Sequence, residues 1–238
     1  MEDGILQELS GRCFAELVEI LIKDIPRSLI ILGCLQQMER SPKVTNGHVY
    51  VSQWPNPDIV VFEDTAYKVL LDCKYPPTTI FANCSTEKLK ITLGKSHLKQ
   101  LFTCSSGILI GDPRCTNIAI ENAKLNCCEV QVAAVPHFCA LMDAANLVKH
   151  ECPPGYYIAP LKLQDAQLVD HMWKFGEYGS IGILHTVESH RRRGLAKAVI
   201  YHLATKILEE GKIAFNVIEK ENEISRQLFL QNGIYNVP

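Results

Sequence analysis

Tryptophan is scarce in this 238-residue chain, at two residues, and aromatic side chains together make 8%. There is no basic surplus either. Lysine and arginine number 24 against 26 aspartates and glutamates, a net charge of −2 with histidine neutral, and this argues against a general nucleic-acid binder. No apolar run approaches the roughly 20 residues needed to cross a bilayer; those around 29–35 and 130–135 are short. The 14 glycines and 12 prolines follow no period, which excludes a collagen-like or low-complexity chain. Cysteine is plentiful at ten residues, yet no C-x-x-C occurs, and the adjacent Cys127-Cys128 is poorly placed for one metal ion. The start, Met1-Glu2-Asp3-Gly4, has neither a basic nor an apolar leader region, and Glu2, Asp3, Glu8 and Glu16 are out of place in a transit peptide. The expectation is a soluble globular protein whose reduced cysteines act as small buried hydrophobes, with no metal and no membrane partner.

Strand and helix patterns mix throughout. Residues 5–22 read as an amphipathic helix, with Ile5, Leu9, Val18 and Leu21 among its apolar positions, and Pro26 ends it. Short β-rich runs follow at 29–34, 48–52, 59–62 and 67–71, and Trp54-Pro55-Asn56-Pro57 is a rigid turn between two of them. Helices are expected around 86–102, 117–123 and 138–148, with a strand at 107–110. Cys152-Pro153-Pro154-Gly155 is the clearest linker, and no cysteine follows it. This divides the chain into residues 1–152 and 153–238. The second part reads as strand 156–161, helix 164–173, strand 181–187, a helix to about Glu210 with Gly211 as its C-cap, strand 213–218 and helix 222–231 closed by Gly233. The fold class is α/β (α+β), a mixed sheet flanked by helices.

Chemistry concentrates where strand 181–187 meets the next helix, in His185-Thr186-Val187-Glu188-Ser189-His190-Arg191-Arg192-Arg193-Gly194-Leu195-Ala196. A helix N-terminus offers N–H groups without intrahelical acceptors and the positive end of the helix dipole, together an anion site. Gly194 lets the backbone come close to a phosphate, Ala196 keeps the first turn uncluttered, and Arg191, Arg192 and Arg193 add charge where a pyrophosphate would sit. With no aromatic side chains interleaved among the arginines, nucleic acid is a poor fit.

These residues resemble the GNAT acyltransferase superfamily. Its loop Arg/Gln-x-x-Gly-x-Gly/Ala is matched by Arg191, Gly194 and Ala196, and its later Asn-x-x-Ser-x-x-Leu motif by Asn222, Ser225 and Leu228, with Gly233 following. More narrowly, the chain resembles the glycine N-acyltransferase-like proteins of animals. Pro26-Arg27-Ser28-Leu29, Trp54-Pro55 ahead of Asp58-Ile59-Val60-Val61, and His171-x-Trp173-Lys174-Phe175-Gly176 carry that likeness. It covers nearly the whole length and is firmest after Tyr157.

The resemblance implies transfer of an acyl group from acyl-CoA to the amine of glycine or another small amino acid. Pantetheine would pair with backbone near Thr186 and Val187, and the pyrophosphate would rest on Arg192, Arg193, Gly194, Leu195 and Ala196. The amine would attack the thioester carbonyl directly, which needs a base and oxyanion donors. The family's tyrosine acid falls on Phe229, with Tyr201 and Tyr235 as other tyrosines, and its glutamate base falls near Ser180, leaving Glu177 and His185 as titratable alternatives. Roughly 30–40 residues of sheet are absent between Gly176 and the strand at 181–187, so the C-terminal domain is expected to be incomplete, with little room for final strands. A non-catalytic CoA-binding or interaction protein of the same family is the alternative. The resemblance also implies small-molecule partners, a monomer and a mitochondrial location, with the cytoplasm as alternative.

Overall fold

The computed structural model describes residues 5–40, 47–65, 68, 76–96, 98, 108–111, 113–126, 137–160, 162, 181, 184–211 and 213–237. Two compact units divide at Ala133/Ala134.

In the first unit, β1 (Gln7–Glu8) leads through a short 3-10 turn into α1 (Phe14–Ile22) and α2 (Leu29–Arg40). Then come β2 (Gly47–Val51), β3 (Ile59–Asp64), β4 (Thr78–Ala82), α3 (Thr86–Lys95), β5 (Leu109–Gly111) and α4 (Pro113–Asn126). The five strands form one sheet in chain order, antiparallel from β1 to β4, with β5 parallel to β4. A parallel pair needs a long crossover, and α3 lies in it. Every residue of β3 and β4 is buried, as expected of strands covered on both faces. Ile59, Val61, Ile80, Leu89, Leu93 and Leu98 make the core, each fully buried one contributing about 2 kcal/mol.

Two expectations change here. The apolar run 29–34 is helix, not strand: Leu29, Leu32 and Leu35 recur at helical spacing and are buried with Ile31 and Cys34. A short apolar run suits either element, and the continuation to Arg40 decides it. Residues 7–8, expected in a helix, pair instead with Tyr50 and Val51, so helix begins only at Phe14. The strand expected at 67–71 lies outside the described residues, Lys68 apart. The 52–58 turn is where expected, closed by the Ser52 hydroxyl donating to Asp58 at 2.6 Å and accepting from the Ile59 N–H.

The second unit has β6 (His137–Met142), α5 (Leu195–Glu209), β7 (Ala214–Glu219), α6 (Glu223–Leu230) and β8 (Ile234–Val237). β6 is the central strand, antiparallel to β7 on one side and β8 on the other. Ala140, Leu141 and Met142 suggest a helix at 138–148, but pairing on both edges overrides that preference. This is also why the unit boundary precedes the turn at 152–155: a cut after Cys152 would remove the central strand of the second sheet. The final residues, where little room for a strand was expected, form β8. Met142, Ile200, Ala204, Ala214, Ile218, Phe229 and Ile234 make this unit's core.

Two expected strands of this unit are not formed among the described residues. Residues 156–160 carry no regular structure, and Tyr156 donates its N–H back to Pro153 O in a turn. Residues 184–187 are likewise unpaired with any strand, and Ile181 makes a single N–H bond to Phe215 O. The helix 164–173 falls outside the described residues. No described helix is long and apolar enough to cross a membrane.

Candidate functional site

The chain enters α5 through a 3-10 turn, Glu188–His190, followed by Arg191, Arg192, Arg193 and Gly194. Gly194 is the N-cap, at φ 81, and supplies no side chain to cap the helix. The first intrahelical bond runs from Ala198 N–H to Gly194 O, so the N–H groups of Leu195, Ala196 and Lys197 have no intrahelical acceptor. Glycine is needed for its backbone angle: a Cβ there would meet only Pro153 Cγ at 3.8 Å.

The three arginines do different work. Arg191 Nε donates to Thr186 O at 3.1 Å. Arg193 spans two acceptors, Tyr156 Oη at 2.7 Å and Ser189 O at 3.1 Å. Both therefore brace the loop. Arg192 makes no hydrogen bond or ion pair among the described residues, and its φ of 61 is left-handed. For a residue with a side chain that conformation costs on the order of 1 kcal/mol. The loop thus holds one guanidinium out, at a backbone angle it would not choose.

Two cavities of about 320 Å³ adjoin this loop. One is lined by Leu184, His185, Thr186, Val187, His190 and Val199, with Leu195 and Ala196. The other is lined by Arg191, Arg192, Arg193, Gly194, Lys197 and Leu228, and shares Thr186, His190, Leu195 and Ala196. The first is mostly apolar; the second is cationic. His190 borders both, with its Nδ1 at 2.8 Å from Ser189 Oγ and its ring nearly perpendicular to that of Tyr156. Among the described residues no three His, Cys, Asp or Glu side chains are grouped to hold a metal ion.

Residues 163–234 match the family model described as FR47-like protein. This is a GNAT-type acetyltransferase family, so the cationic loop, α5, β7 and α6 all lie in an FR47-like region. An X-ray structure of a Drosophila protein is similar over the whole fold. Its TM-score is 0.75 at 14% identity, covering 98% of this chain and 96% of that one. At that identity the likeness shows the fold alone, a mixed α/β fold; the five-stranded mixed sheet flanked by helices belongs to the first unit. No curated protein matches the chain in sequence.

Within the FR47-like region, the structure brings together His185, Thr186, Val187, Arg191, Arg192, Arg193, Gly194, Leu195 and Ala196 around the two cavities. Asn222 and Ser225 stand apart from them: Asn222 is the N-cap of α6 and its side chain accepts the Ser225 N–H at 3.1 Å. From α6 it is Leu228 that reaches the cationic cavity. Glu177 and Ser180 lie outside the described residues. Phe229 is buried in the core of its unit. His190, Lys197 and Tyr156 belong to the site as well. The first two stand beside the arginine motif in sequence, whereas Tyr156 is 37 residues from its partner Arg193, and nothing local marks it.

Proposed function

We propose that this protein is an acyl-CoA-dependent N-acyltransferase that uses glycine or another small amino acid as acceptor. The observation that carries the reading is the start of α5: N–H groups without a side-chain cap, opened by Gly194 and faced by Arg192, which has no partner among the described residues. A pyrophosphate fits that combination of helix dipole, N–H donors and guanidinium. GNAT-type enzymes use acetyl-CoA or acyl-CoA as co-substrate, and the FR47-like match covers this same stretch.

On this reading the pyrophosphate rests on the cationic cavity and the pantetheine follows residues 184–187, which carry no strand partner among the described residues. Thr186 O already accepts from Arg191 and Val187 O from the His190 N–H, so it is the N–H groups of these two residues that are left for pairing. The thioester carbonyl then lies toward the apolar cavity, which His185 borders. His185 takes the proton of the acceptor ammonium. The free amine attacks the carbonyl carbon, the C–N bond forms, the C–S bond breaks, and the departing thiolate takes the proton that the attacking nitrogen loses in becoming an amide. A mitochondrial location rests on the likeness to glycine N-acyltransferase-like proteins alone; import into isolated mitochondria checks it.

The test is thiol release from acetyl-CoA or benzoyl-CoA with glycine present. Release that depends on glycine and falls on Arg192→Ala is expected. CoA binding without release would favour the second reading, a CoA-binding protein without turnover, which Phe229 supports because it offers no hydroxyl where the resemblance places an acid.

A further inference from the structure

We propose that Tyr156 is a positioning residue for CoA binding: its hydroxyl fixes Arg193 as the brace of the loop, and so sets where Arg192 and the first N–H groups of α5 stand. This rests on the CoA-binding reading above and deepens it, because Tyr156 precedes the FR47-like region at 163–234.

The geometry has three parts. Tyr156 Oη accepts Arg193 Nη1 at 2.7 Å while Arg193 Nη2 donates to Ser189 O at 3.1 Å. One guanidinium thereby ties the 3-10 turn Glu188–His190 to a residue 37 positions earlier. The Tyr156 ring also meets His190 edge-on, with ring centres 5.9 Å apart, and His190 borders both cavities. Finally, Tyr156 is itself fixed: its N–H donates to Pro153 O at 3.1 Å across a turn in which Gly155 has φ 82, and Pro153 lies against Gly194.

The consequence is a division of labour. Arg193 gives one N–H of each terminal nitrogen to a protein oxygen and keeps three of its five donors, so its guanidinium is held in place. Arg193 then shapes the site, and Arg192 with Lys197 adds charge to it. Without the tyrosine oxygen, Arg193 Nη1 loses its acceptor, and the turn keeps only contacts local to it, Arg191 on Thr186 O and Arg193 Nη2 on Ser189 O. The left-handed Arg192 between them is the residue most exposed to that loss, since strained backbone persists only where its surroundings hold it.

The experiment is calorimetric titration of the full chain with CoA, for wild type, Tyr156→Phe, Arg193→Ala and the double variant, with a thermal melt of each. Phenylalanine keeps the ring, the contact with His190 and the turn, and removes only the acceptor. Tyr156→Phe is expected to raise the Kd for CoA roughly three- to tenfold, with an unchanged melting midpoint. The double variant should bind no more weakly than Arg193→Ala alone, since both remove one linkage. An unchanged Kd in Tyr156→Phe, or additive losses in the double variant, would overturn the proposal and leave CoA binding standing. A Tyr156→Phe protein that fails to fold would make Tyr156 a folding residue and also overturn it. A wild type that does not bind CoA at millimolar concentration would overturn the parent reading, and this one with it.

Discussion

Each unit has a place where the chain enters a long helix beside arginines, and the two junctions treat the helix end in opposite ways. In the first unit β4 passes to α3 through Asn83, Cys84 and Ser85. The Ser85 side chain accepts the Lys88 N–H at 3.3 Å and so caps the helix. Arg27 Nη2 and Arg114 Nη2 both donate to Ala82 O, at 2.6 and 2.9 Å, and Arg114 Nη1 takes Cys84 O at 3.0 Å. In the second unit the cap is Gly194, with no side chain to donate or accept, and Arg192 stays without a partner among the described residues. Arginine near a helix start is therefore no signature of an anion site. What matters is whether the first N–H groups have been given acceptors and the guanidiniums carbonyls.

Four experiments would break or sharpen that contrast. The largest expected effect belongs to Arg192→Ala, which removes the guanidinium of the loop that has no partner among the described residues. It should raise the Kd for CoA roughly 10- to 100-fold, and the melting midpoint should stay put, because alanine carries the same Cβ as arginine at this left-handed angle. Next is Gly194→Ala. A Cβ has room there, so the effect is conformational: about 1 kcal/mol of lost stability in a denaturant titration, with weaker CoA binding as the loop shifts. Ser85→Ala is the mirror experiment. It should also lower stability by about 1 kcal/mol, yet leave the Kd for CoA within twofold of wild type; a matching loss of binding would dissolve the distinction between the two junctions.

The smallest effect is on pH dependence at the first junction. Partial burial alone would raise the Asp58 carboxyl, but hydrogen bonds from Lys88 and Ser52 and the Lys88 charge outweigh it and hold it below its ordinary value. A depressed folded pKa adds stability above the unfolded pKa, near 4, and that contribution is lost as pH falls through the folded value. Denaturant midpoints between pH 6 and pH 3 should therefore fall slightly more steeply in wild type than in Asp58→Asn. With both side chains partly in solvent, the difference should stay below about 1 kcal/mol.

Much of this contrast is visible in the sequence, and the rest is not for identifiable reasons. The helix at 195–209 and its glycine start follow from Gly194, Leu195 and Ala196, because capping chemistry is local. Strands β2 and β3 follow from His48, Val49, Val51 and the Ile59-Val60-Val61-Phe62 run for the same reason. The misreadings sit where tertiary pairing decides. β6 looks helical until β7 and β8 are placed on either side of it, and α2 looks like a strand until its length is known. The equal treatment of Arg191, Arg192 and Arg193 fails likewise, since their roles depend on Thr186 O, Ser189 O and the distant Tyr156. A motif states which side chains are present; only the fold states which of them are already engaged.

The measurement that bears most directly on the central claim compares CoA with pantetheine, the same molecule without its nucleotide and pyrophosphate, on wild type and Arg192→Ala. If the uncapped start of α5 with Arg192 binds the pyrophosphate, wild type should prefer CoA by at least roughly 100-fold, and Arg192→Ala should surrender most of that preference. Equal affinities for the two ligands in wild type, or a preference for CoA that survives Arg192→Ala intact, would contradict it.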